Sequence, residues 1–403
     1  MGVEVKPSAA HGALSQQNFL LACAFVMPLT FSVWQALLNN FVVERAAFTG
    51  AEIGILQSLR EVPGFLAFTA VFVLLVIREQ RFALGSLLVM SVGVALTPFF
   101  PSVYGLYATT VLMSMGFHYF ETINKSLTLQ WIEKSYTPHF MGRVMAVKAA
   151  GALLAYGGIW LLMTQADFGF EAMYLLAGGL GILITLSLWT VFPNYPDGPV
   201  QHKKLILRSR YWLYYALTFL SGARRQIFMV FAGFMMVEKF GYSAADISLL
   251  YLANYVFNLL FAARIGAWVG RVGERAALRL EYLGLIGVFT SYAFVENAHL
   301  AAGLYIIDHL FFALSIAINT YFQKIADPQD IAATSSVSFT INHIAAVFIP
   351  ALLGFVWLSS PAAVFLVGAA IALASLILCS LIPREPGPGN ETTQVVSLNY
   401  TRG

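Results

Sequence analysis

The chain has 403 residues, of which 59% are hydrophobic and only 11% are charged, and its net charge is +3. Soluble domains usually contain about 25% charged residues, so this composition excludes an ordinary soluble protein. Twelve apolar stretches, each long enough to cross a hydrocarbon core of ~30 Å as a helix, predict an all-α integral membrane protein instead.

The twelve predicted spans follow one another with short polar connections. In chain order they are 18–42, 50–77, 82–100, 103–131, 141–164, 170–193, 211–237, 244–270, 276–297, 301–323, 332–357 and 361–383. The segment before span 1 is polar, and span 1 is too long for the apolar region of a signal peptide. Cys23 and Cys379 both fall inside spans, so neither a disulfide framework nor a metal site is expected.

The longest hydrophilic interruption, "NYPDGPVQHKKLILRSR", occupies residues 194–210 and divides six spans from six. We therefore expect a cytoplasmic N-terminal segment (1–17), an N-terminal six-helix bundle (18–193) and a cytoplasmic linker (194–210). A C-terminal six-helix bundle (211–383) and a cytoplasmic tail (384–403) complete the predicted organisation.

The basic residues are distributed unevenly between the two sets of alternating loops. One set contains nearly all of the loop lysines and arginines, whereas the other contains only Arg45 and Lys239. The positive-inside rule then places both termini in the cytoplasm, which requires an even number of spans. The expected location is the inner or plasma membrane, as a multi-pass protein.

A shift of 193 residues aligns equivalent points of the two halves, including Arg78 with Arg271 and Gln130 with Gln323. The loop after span 8, "GAWVGRVGER" (266–275), resembles the cytoplasmic loop signature of the major facilitator superfamily, with Gly270 at its acidic position. The corresponding loop of the first half keeps Arg78, with Ile77 at the acidic position, and "MGR" (141–143) is similar to another family pattern. Over essentially its full length the chain resembles this superfamily.

The resemblance implies two pseudo-symmetric six-helix bundles that rock about a site near the middle of the membrane. It also implies that spans 1, 4, 7 and 10 line the cavity, that spans 3, 6, 9 and 12 support it from outside, and that cytoplasmic loop residues gate it. The gating candidates near the cytoplasmic loops are Arg78, Arg143, Arg271 and Arg275, and the gating candidates of span 2, on its outer half, are Arg60 and Glu61. Arg60 and Glu61 are adjacent in sequence, and either a gate salt bridge or ligand contact fits them. Arg271 and Arg275 also fit a simple role in setting the topology.

Span 4 carries a polar stripe. Residues three, four and seven apart share a helix face, so this stripe contains Ser114, His118, Glu121, Lys125 and Thr128. Glu121 precedes Lys125 by four residues, the favourable order for an ion pair within one helix. A charge in the centre of the bilayer costs about 2.5–3.5 kcal/mol, so these residues are expected to face protein or water.

Other spans repeat this pattern, and their polar residues are candidates for substrate binding. These candidates are Gln35, Asn39, Tyr214, Arg224, Arg225, Asn254, Asn258 and Asn319. Arg224 also fits a pairing with an acid of a neighbouring helix. Spans 3 and 12 contain no charged residue and spans 6 and 9 keep theirs near the ends, so every third span is predicted to be inert.

Four residues are candidates for proton coupling: Glu121, Asp308, His118 and Lys125. Buried carboxylates and imidazoles titrate near neutral pH in suitable surroundings, although a hydrogen-bonded structural role also fits His118 and Asp308. The pairs His118–Glu121 and Asp308–His309 have ligand types that suit zinc, but their spacing is generic. No metal and no cofactor are therefore expected.

The predicted function is a secondary active transporter of a small organic anion or zwitterion, coupled to protons. The chain contains no phosphate-binding GxxxxGK[ST] loop, so ATP hydrolysis by this chain is excluded. An exporter of amphiphilic drugs or siderophore-like compounds is the alternative within this class. A non-transporting receptor or assembly factor and an intramembrane enzyme are alternatives from other classes. The expected partners are the substrate, protons and the lipid bilayer, with no nucleic acid, and the protein is expected to be a monomer.

Overall fold

The computed structural model describes residues 14–132, 137–195, 207–327 and 330–393. Parts of the predicted terminal segments and linker, namely 1–13, 196–206 and 394–403, lie outside the described residues. Within the described part the chain forms twelve helical spans, which we number α1–α12 and which correspond one to one to the predicted spans. The predicted all-α membrane fold is confirmed.

Six spans form the first half of the chain. Their bounds are Gln16–Ala46 (α1), Gly50–Phe65 continued by a 3-10 turn at Leu66–Thr69 and by Ala70–Leu74 (α2), Glu79–Leu96 with a 3-10 turn at Thr97–Phe99 (α3), Val103–Trp131 (α4), Thr137–Gln165 (α5) and Phe170–Val191 (α6).

The other six spans form the second half. Their bounds are Trp212–Ile227 continued by a π-helical turn at Phe228–Ala232 and by Gly233–Glu238 (α7), Ala244–Val272 (α8), Glu274–Phe294 (α9), Ala298–Phe312 continued by a 3-10 turn at Ala313–Ser315 and by Ile316–Ile325 (α10), Ile331–Ser359 (α11) and Pro361–Cys379 (α12).

Local sequence signals explain where several helices begin. The side chains of Ser15, Ser102, Asn297 and Ser360 each accept a hydrogen bond from a backbone N–H of the first turn. Such caps satisfy donors that have no partner inside the helix. Between α8 and α9 the turn is a single residue, Gly273, whose φ of 83° is a conformation that favours glycine. In the described part of the chain, seven helices are long and apolar enough to cross a membrane by length and composition alone.

The chain divides into two compact units. Unit 1 comprises Met1–Phe48, Leu59–Gln201 and Tyr242–Leu252, and unit 2 comprises Thr49–Ser58, His202–Gly241 and Ala253–Gly403. The first residues of α2 therefore belong to unit 2, and the first residues of α8 belong to unit 1.

In unit 1, α3 packs extensively on α4 and α6, and α1 packs on α5. Asn40 of α1 donates a hydrogen bond from Nδ2 to the backbone oxygen of Tyr242 (2.6 Å), and the rings of Tyr156 and Tyr251 lie 5.4 Å apart. These contacts hold segment 242–252 in unit 1.

In unit 2, α9 packs on α12, and α7 packs on α11 and α12. Segment 49–58 reaches the part of α11 that contains Pro350, a proline inside the helix. Because a proline ring weakens the regular hydrogen bonding around it, the N–H of Ala351 is able to donate to Ser58 Oγ instead (2.9 Å). Gly54 permits this approach, since a Cβ atom there would lie 2.3 Å from the Pro350 carbonyl oxygen.

Candidate functional site

The polar stripe of α4 faces α2 within unit 1. Ser114 is fully buried, and its hydroxyl donates to the backbone oxygen of Arg60. His118 is buried, with Nε2 at 4.0 Å from Glu61 Oε2. The shared helix face that the sequence predicts for Ser114 and His118 therefore exists, and it points into protein.

Arg60 and Glu61 form an ion pair with each other and are both buried. Neighbouring residues on a helix point about 100° apart, so the long guanidinium side chain folds back to reach the carboxylate. Of the two roles that fit these residues from the sequence, the geometry is that of a salt bridge.

The expected pairing of Glu121 with Lys125 is wrong. Glu121 instead accepts hydrogen bonds from Lys148 Nζ of α5, at 2.7 and 3.0 Å, while Lys125 is exposed. A lysine near the end of a helix extends its long chain towards water, whereas Lys148 approaches the carboxylate from a second helix. Lys148 was not a sequence candidate, because helical spacing identifies only partners within the same helix.

Gln35 and Asn39 are four residues apart in α1 and therefore lie on one face of that helix. Gln35 is half-buried, and Asn39 is buried with 6% of its surface exposed. Asn39 directly precedes Asn40, and Gln35 lies five residues before it. The side chain of Asn40 binds segment 242–252.

Arg225 lies at the middle of α7, halfway along the range 212–238, and its side chain is exposed. Its Nε donates to Met229 Sδ at 3.3 Å, and its guanidinium carbon lies 5.7 Å from the centre of the Phe312 ring. Tyr214, on the same helix, is buried and stacks on Phe322 with ring centres 4.2 Å apart. The π-helical turn begins three residues after Arg225, and such turns occur frequently at functional sites.

Arg224 has different surroundings. Its Nη2 donates to Glu281 Oε1 of α9 at 2.6 Å, and the two side chains are 1% and 0% exposed. The guanidinium also lies 5.0 Å from the centre of the Tyr282 ring. The pairing with an acid of a neighbouring helix, which the sequence left open, is present. The prediction that span 9 is inert is wrong. Glu281 lies one-third of the way along α9, is fully buried and forms the ion pair with Arg224.

The remaining candidates of unit 2 differ in exposure. Asp308 is buried, with 6% exposed, whereas Asn319 is exposed. Asn254 is buried, and neither its Nδ2 nor its Oδ1 has a hydrogen-bond partner among the described residues. The side chain of Asn258 lies outside the described residues. His309, next to Asp308, contacts the Tyr305 carbonyl oxygen through Nδ1 at 2.9 Å.

A recess of about 450 Å³ lies along the second half of α8. Its lining residues are Arg264, Ile265, Ala267, Trp268 and Arg271. The lining thus contains two guanidinium groups, one indole ring and no carboxylate. Arg264 was not a sequence candidate, although its spacing of seven residues from Arg271 places both on one helix face.

The other gating candidates lie within two turns of a helix end. Arg78 precedes α3 and donates to the Tyr195 backbone oxygen at 3.2 Å. Arg143 and Arg271 are exposed, and Arg275 in the first turn of α9 is half-buried.

Charged residues also form a cluster before α7 and α11, in unit 2. Arg208 Nη2 donates to Asp330 Oδ1 at 2.9 Å, and Tyr211 donates to the other oxygen of Asp330 at 3.0 Å. Arg210 pairs with Asp327 and lies 3.9 Å from Glu391 of the tail. The hydrogen bond from Arg208 lowers the pKa of the Asp330 carboxyl below its ordinary value. This cluster ties two connecting segments and the tail together.

The family model described as Major Facilitator Superfamily matches residues 20–350 and 214–399 of the chain. A search of curated proteins found no match. Among solved structures, the nucleoside transporter NupG is 14% identical, with a TM-score of 0.70 over 91% of this chain and 98% of that one. A bacterial homolog of the human lysosomal transporter Spinster, solved in an inward-facing and occupied conformation, is 15% identical, with a TM-score of 0.68 over 90% of this chain and 95% of that one.

A POT family transporter solved in complex with 5-aminolevulinic acid is 13% identical, with a TM-score of 0.69 over 91% of this chain and 95% of that one. At these identities the structural likeness shows the shared fold. The family match covers most of the chain by sequence. The chain therefore belongs to the Major Facilitator Superfamily, and it is a multi-pass membrane transporter of small molecules rather than an enzyme.

Proposed function

We propose that this transporter moves a small organic anion or zwitterion across the inner or plasma membrane by alternating access, with both termini in the cytoplasm. The observation that carries the substrate class is the position of Arg225, an exposed guanidinium at the middle of a membrane-spanning helix. An arginine facing lipid at that depth costs about 2.5–3.5 kcal/mol or more. Its exposed surface therefore faces a water-filled cavity.

The chemistry of this residue favours an anionic group. A guanidinium binds carboxylate or phosphate through two parallel hydrogen bonds. Its neighbours Met229 and Phe312 are uncharged and offer apolar surface to the carbon skeleton of a ligand.

Polar groups without charge complete the proposed binding site. Buried polar atoms are nearly always hydrogen-bonded, so the amide of Asn254 has unused capacity that suits a ligand. Gln35, Asn39, Asn319 and Tyr214 stay candidates for further contacts, and Asn258 stays one from the sequence. The POT family transporter solved with 5-aminolevulinic acid binds a small zwitterion of the proposed class.

We assign proton coupling to the titratable residues of the membrane helices, with Glu121, Asp308, His118 and Lys125 as candidates. The salt bridge Arg60–Glu61 and the loop arginines Arg78, Arg143, Arg271 and Arg275 stay candidates for gating. An intramembrane ionisable residue is a functional candidate by default. These roles rest on position and residue type.

The substrate class is tested by thermal unfolding of the purified protein in detergent with 5-aminolevulinic acid, succinate, uridine and choline. A ligand at about one hundred times its dissociation constant adds roughly 2.7 kcal/mol to the free energy of unfolding. We expect stabilisation by succinate or 5-aminolevulinic acid in the parent and in Arg45→Ala, and its loss in Arg225→Ala. Arg45 is a matched control, since it is an exposed arginine at the end of α1.

Stabilisation by choline or uridine alone, retained in Arg225→Ala, would contradict the proposal. That result would assign Arg225 a structural role and favour the exporter of amphiphilic compounds.

A further inference from the structure

Two arginines on one face of α8 share the recess described above. Arg264, Trp268 and Arg271 all line it and are all exposed. Their separations of four, three and seven residues place the three side chains on one face of the helix. Val269 belongs to a different face and is buried in the hydrophobic core of unit 2. The two guanidinium groups therefore point away from this core.

The positive charge of the recess is not balanced by acidic side chains. Within the part of the chain that the structure describes, neither arginine forms an ion pair with a carboxylate. Arg264 makes only weak contacts, from Nη1 to the Leu260 carbonyl oxygen at 3.4 Å and to the Phe261 ring with a distance of 5.5 Å to its centre. Glu274, the acid nearest to the recess in sequence, pairs with Lys324 at 2.8 Å. Both guanidinium groups thus keep donors that suit an anion.

The position of the recess along α8 matches the edge of the bilayer. The helix has 29 residues and is about 44 Å long, whereas the hydrocarbon core is ~30 Å thick. A centred helix extends about 7 Å beyond the core at each end, which places Arg271 in the headgroup layer. Arg264 lies about 10 Å earlier along the axis, just inside the hydrocarbon, from where its long side chain reaches the boundary. Trp268 lies between them, at the depth that tryptophan prefers.

Apolar side chains continue the same helix face towards the centre of the membrane. Phe257 and Leu260 precede Arg264 by seven and four residues, and Leu260 is 57% exposed. The rings of Phe257 and Phe261 stack with their centres 4.5 Å apart. The face is therefore cationic at the depth of the headgroups and apolar below it. This order matches a phospholipid, whereas a water-soluble anion has no chains to cover the apolar part.

We propose that this recess binds the phosphate group of an anionic membrane lipid, whose acyl chains lie along Phe257, Leu260 and Phe261. A guanidinium binds phosphate through two parallel hydrogen bonds. Basic pockets beside membrane helices recognise anionic headgroups in the same way. The lipid belongs to the leaflet in which α8 ends, which the sequence predicts to be the cytoplasmic one. This site is separate from Arg225 and does not depend on the substrate that is transported.

The site is tested by equilibrium binding of radiolabelled phosphatidylglycerol to the delipidated protein in a non-ionic detergent. We expect saturable binding to the parent. Because one basic residue near the membrane surface contributes roughly a fivefold effect, Arg264→Gln and Arg271→Gln should each bind roughly fivefold more weakly, and the double variant about thirtyfold. Arg279→Gln is the matched control and should bind like the parent, since Arg279 is an exposed arginine of α9 outside the recess.

Competition and a second lipid distinguish the sources of the phosphate group. Phosphatidylcholine, whose headgroup has no net charge, should bind the parent as weakly as phosphatidylglycerol binds the double variant. Inorganic phosphate and glycerol phosphate lack acyl chains, so neither should displace the labelled lipid at an equal concentration. Displacement by either would mean that a soluble anion occupies the recess, and this would overturn the proposal. Undiminished binding to the double variant, or equal binding of phosphatidylcholine, would overturn it as well.

A second measurement keeps both arginines in place and does not depend on the folding of the double variant. The chain contains seven tryptophans, so the difference between the parent and Trp268→Phe isolates the indole of the recess. Phosphatidylglycerol with brominated acyl chains should quench the tryptophan fluorescence of the parent more strongly than that of Trp268→Phe. Brominated phosphatidylcholine should give a smaller difference. Equal quenching of the two proteins by phosphatidylglycerol would also contradict the proposal.

Discussion

At the level of single residues, two ion pairs in membrane-spanning helices differ in the water that reaches them. Glu121 and Lys148 are 35% and 28% exposed, whereas Glu281 and Arg224 are 0% and 1% exposed. Solvent screens the first pair, so Glu121→Gln should lower the free energy of unfolding by no more than about 1 kcal/mol. Arg224→Met removes one partner of a buried pair and should cost about 3–5 kcal/mol. Denaturation of both variants in the same detergent measures how much each lowers the free energy of unfolding. Equal losses for the two variants would contradict this prediction.

Helical spacing identified several polar residues that share a face of a membrane helix, but it did not identify their partners. The stripe of α4 with Ser114 and His118 follows from a period of 3.6 residues. The bases of Glu121 and Glu281 come from other helices, at separations of 27 and 57 residues. Such pairings depend on which helices are neighbours, and a hydropathy pattern contains no information on this point. Glu281 was missed for the same reason, since one acid in an apolar helix has no periodic signature.

At the level of helices, the contact between the start of α2 and the end of α11 depends on Gly54. A Cβ atom at this position would lie 2.3 Å from the Pro350 carbonyl oxygen, and a backbone atom cannot move aside as a side-chain tip does. Gly54→Ala should therefore lower the melting temperature. Gly85→Ala in α3 is the matched control, because nothing lies within 4 Å of its Cβ position. Alanine is favoured over glycine inside helices by roughly 0.5–1 kcal/mol, so the control should be neutral or slightly more stable.

If Gly54→Ala melts at the same temperature as Gly85→Ala, the close contact between α2 and α11 does not contribute to stability. A second substitution, Gly54→Val, enlarges the clash and should lower the melting temperature further.

The start of α11 gives a prediction about pH. Asp330 directly precedes this helix, and the hydrogen bond from Arg208 holds the pKa of its carboxyl below the ordinary value. A carboxyl whose pKa is lower in the folded protein than in the unfolded chain adds stability above its unfolded pKa, and this stability is lost as the pH falls through the folded pKa. Asp330→Asn should therefore melt at a lower temperature than the parent at neutral pH.

The difference between Asp330→Asn and the parent should narrow only when the pH falls below about 4, the ordinary range of an aspartate. Thermal unfolding across the acidic range measures this change. Glu44→Gln, a substitution of an exposed acid at the end of α1, is the control. If the difference in melting temperature stays constant down to the lowest pH, the effect of Asp330→Asn does not come from loss of the carboxylate charge.

Helix ends were well predicted, whereas interruptions within helices were not. Span 4 was expected at 103–131 and is Val103–Trp131, and the side chain of Ser102 caps its first turn. The 3-10 turn at Leu66–Thr69 and the π-helical turn at Phe228–Ala232 have no such signal. They depend on packing against neighbouring helices, which composition does not determine.

For the molecule as a whole, the bilayer makes the number of spans predictable from hydropathy, since every backbone group in lipid must be satisfied within a helix. The composition of the two compact units was not predictable in the same way. Segments 49–58 and 242–252 each join the unit formed mainly by the other half of the chain. This exchange depends on individual contacts such as Asn40 with Tyr242.

The orientation of the chain in the membrane is a prediction that the buried cysteines make easy to test. Cys23 and Cys379 are both fully buried, so the parent should not react with a membrane-impermeant maleimide. Ala166 follows α5 and Ser209 precedes α7, and both are exposed small residues. The excess of lysine and arginine in the loops predicts that Ala166 lies outside and Ser209 lies in the cytoplasm.

We expect Ala166→Cys to be labelled in intact cells and Ser209→Cys to be labelled only after permeabilisation. The opposite labelling would reverse the proposed orientation of the chain, and labelling of both in intact cells would contradict the odd number of spans between them.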